Sequence, residues 1–253
     1  MTKFSANLGF LWSDRSLIDA IYAAHAAGFE TVECHWPYEY DAAEVKAALD
    51  ATGLTMLGLN TVRGNLVDNE NGLAALPGRE DEARAGIDQA LRYAAAINTQ
   101  NIHVMAGFAE GGAAKDCFIE NLRYATSQQQ HVTFLIEPLN HYDAPGYFLS
   151  STDQARRIIE AVAAPNLKLM FDCYHIQILE GDLTRRLQAN IDIIGHIQFA
   201  GVPSRGRPDY GEINYQHIFK QIADMGYSAP LGAEYKPENG DTDGSLGWKN
   251  KLI

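Results

Sequence analysis

Short apolar runs alternate regularly with longer helix-like segments along this chain. Eight runs rich in β-forming residues recur along the 253 residues, and most are nearly continuous in apolar character, as parallel strands buried on both faces are. We expect strands at 4–9, 30–35, 54–60, 101–106, 132–137, 167–172, 194–200 and 230–235. The intervening helical patterns cover 14–27, 41–52, 79–97, 115–129, 152–163, 175–189 and 214–225.

Eight strands that alternate with helices predict a closed barrel rather than an open sheet. A (β/α)₈ barrel typically needs about 250 residues, and this chain has 253. An open sheet that binds a dinucleotide would show a Gly-x-Gly-x-x-Gly turn after an early strand, and the sequence has none. Since no linker-like tract divides the chain, we expect one α/β domain over residues 1–253, a single TIM barrel.

Composition and charge narrow the range of partners. The formal net charge is −12, whereas nucleic-acid binding needs clustered Lys and Arg. No apolar run reaches the roughly 20 residues of a membrane-spanning helix, and the first residues lack the apolar stretch of a signal peptide. Three cysteines without a CxxC pair indicate reduced thiols. We therefore expect a cytoplasmic protein that acts on a small molecule and binds neither nucleic acid nor membrane; its oligomeric state stays open, a homo-oligomer included.

Polar residues mark the ends of the last four predicted strands, where a barrel carries its active site. Glu137, Asp172, Gln198 and Glu234 are spaced by about one βα unit, so adjacent strands should present four oxygen donors to one side of the barrel mouth. Three carboxylates brought together repel one another, and a divalent cation relieves the repulsion. Carboxylate and amide oxygens are hard ligands, which predicts Mg²⁺ or Mn²⁺; helix caps or buried ion pairs are the alternative. His196, two residues before Gln198, is interpreted as a core residue one layer deeper.

Histidines and an arginine near these strand ends are candidates for contacting the substrate. His175 lies three residues after Asp172, on a loop or first helical turn that gives it access to the mouth. His103 lies within a strand, where a histidine is about as often a core residue as a substrate contact. Arg205 follows Gln198 in a Gly- and Pro-rich loop, and an anionic substrate of so acidic a protein needs a local cation. Three other cations compete for this role: Arg79, Arg207 and Lys236.

Six stretches of the sequence resemble hydroxypyruvate isomerases, in order and over essentially the whole chain. They are ALPGRE (75–80), EPLNHYDAPGYFL (137–149), FDCYHIQILEGDL (171–183), HIQFAGVPSR (196–205), GEINY (211–215) and EYKP (234–237). The wider group is that of the xylose-isomerase-like barrels, with ketose epimerases and 2-oxo-tetronate isomerases. The resemblance implies a (β/α)₈ barrel with metal ligands at Glu137, Asp172, Gln198 and Glu234. Many relatives have Arg-His-Glu-Pro where this chain has Arg205-Gly206-Arg207-Pro208, and many members of the wider group have His in place of Gln198.

The resemblance also implies the chemistry. Glu137 and Glu234 become the two proton donors or acceptors, and His175 and Arg205 fall where related enzymes contact substrate. The implied reaction interconverts hydroxypyruvate and 2-hydroxy-3-oxopropanoate through an enediol, whose developing charge a metal stabilises. A 2-oxo-tetronate isomerase, a ketose 3-epimerase and a metal-dependent phosphodiesterase or endonuclease stay open as alternatives, and so does the choice of which glutamate abstracts the first proton.

Overall fold

A computed structural model of the chain, described for residues 2–129 and 131–252, has the expected alternation of strands and helices. The strands are β1 (Phe4–Asn7), β2 (Thr31–Glu33), β3 (Thr55–Met56), β4 (Gly58–Asn60), β5 (Asn101–His103), β6 (Thr133–Ile136), β7 (Leu167–Asp172), β8 (Ile194–Phe199) and β9 (Leu231–Ala233). The helices are α1 (Leu17–Ala26), α2 (Ala42–Thr52), α3 (Glu80–Ile97), α4 (Gly111–Gln128), α5 (Thr152–Val162), α6 (Cys173–Leu179), α7 (Leu183–Asn190), α8 (Tyr215–Asp224) and α9 (Thr242–Ser245). Positions 1, 130 and 253 of the expected domain lie outside the described residues.

The strands form one parallel sheet whose two ends meet. Their order is β3-β2-β1-β9-β8-β7-β6-β5-β4, so the sheet begins and ends with strands that are consecutive in the chain. The strand expected at 54–60 is interrupted at Leu57: β3 pairs with β2, and β4 pairs with β5. Backbone hydrogen bonds from Leu57 to Val32 (2.7 Å) and from Asn60 to His35 (2.8 Å) span the interruption. The sheet therefore closes, which confirms the expected α/β barrel of the (β/α)₈ type.

Two helices differ from the sequence-based expectation. The helix expected at 175–189 is two helices, because Gly181 and Asp182 between α6 and α7 adopt left-handed backbone angles (φ 66° and 48°) that end a helix. Helix α4 begins at Gly111, four residues before the expected start, and carries two glycines in its first turn. Among the described residues, no helix is long and apolar enough to cross a membrane.

The segment after β9 packs against the outside of the barrel and fixes the end of that strand. It consists of α9 between two short 3₁₀ turns, Glu238–Gly240 and Leu246–Asn250. Trp248 is fully buried, with its ring centroid 5.0 Å from that of Phe4, and its indole nitrogen donates to the Tyr235 hydroxyl at 3.1 Å. Tyr235 follows Glu234 directly, so this packing positions one of the candidate site residues.

Candidate active site

The four oxygen donors expected at strand ends lie at one edge of the barrel. Glu137 follows β6, Asp172 ends β7, Gln198 lies in β8 and Glu234 follows β9. The strand register sets Asp172 opposite Gln198, and Gln198 opposite Gly232, two residues before Glu234. None of the four residues is more than 6% exposed. Because parallel strands end at the same edge, this register gathers the donors at the carboxyl end of the barrel.

Part of this cluster has the geometry of a metal site. Glu137, Asp172 and His175 form a buried triad whose ligand atoms all lie within 4.8 Å of one another, so the triad could hold an ion. The Oε1 atoms of Glu137 and Gln198 are buried and have no hydrogen-bond partner among residues 2–129 and 131–252. Leaving a buried acceptor unsatisfied costs about 1–3 kcal/mol, and a hard cation is a suitable partner for such an oxygen. The residues present therefore fit a divalent metal with oxygen ligands.

His175 offers the cluster an N–H group rather than a ligand atom. Its Nδ1 accepts a hydrogen bond from the backbone nitrogen of Asn140 at 2.9 Å and faces the side-chain amide of the same residue at 2.8 Å. Burial, with Arg205 nearby, lowers the pKa of His175 well below its usual value, so the ring is neutral and carries its proton on Nε2. This nitrogen lies 3.7 Å from Oδ2 of Asp172. The spacing of the triad suits an ion, but the hydrogen bond that Nδ1 accepts favours the two carboxylates, rather than this histidine, as its ligands.

His103 has two open ring nitrogens beside the cluster. The residue ends β5, is 3% exposed, and its Nδ1 lies 3.6 Å from Oε2 of Glu137. Neither ring nitrogen has a hydrogen-bond partner in the described part of the chain. Burial lowers the pKa of His103 to about 3, so the ring is neutral. Since buried polar groups normally find partners, the open nitrogens favour a substrate contact over a satisfied core residue.

Glu234 is an ionised carboxylate held by three side chains. Its Oε1 accepts from Nδ2 of Asn7 at 3.0 Å and lies 2.8 Å from Nε2 of His35. Its Oε2 accepts from Nη2 of Arg205 at 2.5 Å. Burial alone would raise the pKa of Glu234, but Arg205 and His35 outweigh it and hold that pKa below its usual range.

The two neighbouring carboxyl groups shift in the opposite direction. Burial, followed by the charges of Glu234 and Asp172, raises the pKa of Glu137 well above its usual value. Burial also raises the pKa of Asp172 to about 7, although Arg205 opposes the shift. One site therefore holds carboxyl groups whose pKa values are shifted in opposite directions, an arrangement that general acid–base catalysis uses.

Arg205 inserts its guanidinium into this cluster. Its Cζ lies between the rings of Phe10 and Tyr174, 4.8 Å and 5.0 Å from their centroids. Its nitrogens lie beside three carboxylates: Glu234 at 2.5 Å, Asp172 at 3.3 Å and Asp143 at 3.5 Å. The backbone at Arg205 is left-handed (φ 54°), which is costly for a residue other than glycine and turns the loop after β8 inward. Arg205 is thus a buried cation that offsets part of the negative charge.

The competing cations differ in how they are engaged. Arg79 pairs with Glu82 and, at 2.8 Å, with Glu70, and Arg207 pairs with Asp209 at 3.0 Å. Lys236 is exposed, with its Nζ 5.7 Å from the ring centroid of Phe10. Sequence reasoning missed a fourth cation, Arg63, which lies just beyond β4 and stacks over the ring of Trp36 at 4.9 Å. Arg63 makes no ion pair with a described carboxylate, and its buried Nε has no hydrogen-bond partner among those residues.

Sequence reasoning also missed the residues that the first two strands contribute. Asn7 ends β1, Glu33 ends β2, and His35 follows β2 by two residues. These residues also lie at or just after the ends of strands, so the criterion that selected donors on the last four strands would have selected them as well. Arg63 has a weaker signal, since a cation three residues past a strand is common on barrel surfaces.

Comparisons with known proteins describe the same barrel. The family model for the "Xylose isomerase-like TIM barrel" matches residues 21–252. The chain is 46% identical to a 2-oxo-tetronate isomerase of Cupriavidus necator, over 98% of this chain and 97% of that protein, and 39% identical to the hydroxypyruvate isomerase of Escherichia coli, over 98% of each. The crystal structure of an AP endonuclease, family 2, from Brucella melitensis has a TM-score of 0.95 with this chain at 37% identity, over 99% of both chains.

Proposed function

Since the chain belongs to the xylose isomerase-like TIM barrel family, we propose that it is an isomerase of small hydroxy-oxo acids. The observation that carries this proposal is a buried cluster at the carboxyl end of the barrel, in which Arg205 contacts the carboxylates of Asp172 and Glu234 and Glu137 lies beside them. The names of two relatives matched over nearly their full length support it. The leading substrate is hydroxypyruvate, interconverted with 2-hydroxy-3-oxopropanoate in the cytoplasm. The alternative is 2-oxo-tetronate, which offers the same chemistry with one more carbon.

The proposed metal ligands are the four strand-end donors, and the proposed ion is Mg²⁺ or Mn²⁺. Support comes from the unpartnered Oε1 atoms of Glu137 and Gln198 and from the oxygen-rich donor set. A divalent ion held there would act as a Lewis acid and stabilise the negative charge that develops on the enediolate oxygen. His175 is left out of the ligand set because its Nδ1 is occupied by Asn140 and its Nε2 carries the proton.

Glu234 and Glu137 move the proton between adjacent carbons of the substrate. Isomerisation requires one group that removes a carbon-bound proton and one that returns a proton to the neighbouring position. Glu234 is ionised and suited to accept the first proton. Burial and the neighbouring carboxylates raise the pKa of Glu137, which suits its carboxyl group to hold a proton and return it. The two roles exchange when the reaction runs in reverse.

Three side chains around this pair are proposed to contact the substrate. His175 directs its Nε2–H toward the carboxylate cluster and can donate to a substrate hydroxyl or carbonyl oxygen. His103 has open ring nitrogens beside Glu137. Arg205 has a planar guanidinium that can meet the substrate's carboxylate with two parallel hydrogen bonds once a metal shares the charge of Asp172 and Glu234.

Two further activities compete with this proposal. An endonuclease is favoured by the name of the 37% identical structure from Brucella melitensis. The net charge of −12 opposes it, because a DNA-binding face needs clustered cations. A ketose 3-epimerase would use the same acid–base pair on a neutral sugar. Such a sugar has no carboxylate for the buried Arg205 to bind.

Metal removal and return tests the proposal. Protein treated with a chelator should lose its turnover of hydroxypyruvate, and added Mg²⁺ or Mn²⁺ should restore it. Full activity in metal-free protein would exclude the metal role. The same preparation should leave abasic-site DNA uncut and a ketohexose unchanged; metal-dependent cleavage of the DNA, without turnover of either acid, would replace the isomerase proposal with the endonuclease.

A further inference from the structure

A second polar cluster lies inside the barrel beneath the carboxylates, and the proposed reaction does not use it. Glu33, at the end of β2, has a side chain that is 5% exposed. It accepts a hydrogen bond from Nε2 of Gln198 at 2.7 Å, and Nε2 of His196 lies 3.2 Å and 3.1 Å from its two oxygens. Glu33 therefore contacts two buried side chains of β8, Gln198 and His196.

The carboxylate of Glu33 determines which way the Gln198 amide faces. The amide nitrogen of Gln198 faces this carboxyl group and donates a hydrogen bond to its Oε2 at 2.7 Å. The amide oxygen then points away from Glu33. That oxygen is buried without a partner in the described residues, on the strand position that is in register with Asp172. An amide that lacked this acceptor could rotate by half a turn and present its NH₂ group instead.

We propose that Glu33 is a positioning residue for the metal site. By accepting from Gln198 it presents the amide oxygen, rather than the NH₂ group, to a divalent ion. His196 contacts both oxygens of Glu33 and so holds that carboxyl group in place. The inference rests on the proposed role of Gln198 as a metal ligand.

Calorimetric titration of the folded protein with Mn²⁺ tests this role without any substrate. Glu33→Leu removes the acceptor, and the Kd for Mn²⁺ should rise by about 10- to 100-fold, the usual effect of losing a partner that orients a ligand. Glu33→Gln keeps an acceptor oxygen and should bind close to wild type. Met170→Leu is the matched control, because Met170 lines the same interior cavity and the exchange conserves volume; it should bind as wild type does.

A double variant keeps the test valid if Glu33→Leu does not fold. Glu33→Leu/His196→Leu replaces both members of this contact by apolar side chains, an exchange that buried polar pairs often tolerate, and it should show the same loss of affinity. Wild-type affinity in a folded leucine variant would overturn the positioning role alone. Equal losses in the Leu, Gln and Met170→Leu variants would indicate general damage to the interior and would also overturn it. Absence of Mn²⁺ binding by the wild-type protein would overturn this inference and the proposed metal site together.

Discussion

Replacing Arg205 by Met separates the electrostatic role of this side chain from its packing. Methionine keeps an unbranched apolar chain between the rings of Phe10 and Tyr174 and removes the guanidinium. In metal-free protein the change leaves Glu234 and Asp172 without the cation that now lies 2.5 Å and 3.3 Å from them. Removing one partner of a buried ion pair costs about 3–5 kcal/mol, so the free energy of unfolding should fall by that amount.

A divalent ion should reverse most of this loss, because it supplies the missing positive charge. Urea unfolding in the presence of a chelator measures the loss of unfolding free energy, and urea unfolding with Mn²⁺ measures how much of that loss the ion restores. We expect the stabilisation by Mn²⁺ to be larger in Arg205→Met than in wild type, and the Kd for Mn²⁺ to be lower, since no resident cation competes for the carboxylates. Arg207→Met is the control: its partner Asp209 also pairs with Lys251, so the variant should change neither quantity by much.

The same variant tests the proposed contact with the substrate's carboxylate. A charged hydrogen bond left unmade costs about 2–3 kcal/mol, which is roughly a 30- to 150-fold loss in kcat/KM for hydroxypyruvate. Turnover of a neutral ketose, if measurable, should suffer much less. Equal losses on acid and neutral substrates would mean that Arg205 shapes the loop instead. An unfolding free energy that does not change in chelator would refute the electrostatic reasoning itself, and unchanged kinetics would move the carboxylate contact to Arg63 or Lys236.

Three further predictions follow from the same geometry. Glu137→Gln and Glu234→Gln should each lower kcat by about 10²- to 10⁴-fold at equal metal content, and a loss of under about fivefold in both would exclude the acid–base pair. Because the pKa of Asp172 is raised to about 7, folded metal-free protein holds a proton that the unfolded chain has released, so its free energy of unfolding should fall as the pH rises from 5 to 8. Stabilisation by Mn²⁺, which displaces that proton, should grow over the same range, and a pH-independent increment would contradict this. Arg63→Met should lower the free energy of unfolding by no more than about 1 kcal/mol, since Arg63 loses only its stacking on Trp36; a loss as large as that of Arg205→Met would show an unseen ion pair.

The barrel, and the four oxygen donors at its carboxyl end, could be predicted because both depend on local periodicity. The run 167–172 is apolar except for Lys168 and its last residue, Asp172, and the strand observed there, Leu167–Asp172, has the same bounds. Parallel strands end at one edge, so a list of polar strand ends is also a list of neighbours in space. The interruption at Leu57 has no such signal, because the apolar pattern continues while the hydrogen-bond partner changes from β2 to β5.

The contacts that set protonation could not be predicted from spacing. Asn7 and His35 reach Glu234 across 227 and 199 residues of sequence, and the hydrogen bond from His35 contributes to the lowered pKa of that carboxyl. The sequence interpretation of His196 as a core residue agrees with its burial but omits its pairing with Glu33. Both contacts depend on which side chains meet across the barrel, which only closure of the sheet determines.

Proton NMR of the purified protein in D₂O shows whether it isomerises a hydroxy-oxo acid by proton transfer. Hydroxypyruvate, 2-oxo-tetronate and a ketohexose are each incubated with the Mg²⁺- or Mn²⁺-loaded protein, and with chelator-treated protein as control. We expect conversion of at least one of the two acids, dependent on the ion, with deuterium from solvent at the reacting carbon, because the proton passes through a carboxyl group that exchanges with water. Complete retention of the substrate hydrogen at high turnover would contradict proton transfer through an enediol, and conversion of the ketohexose alone would contradict the proposed substrate class.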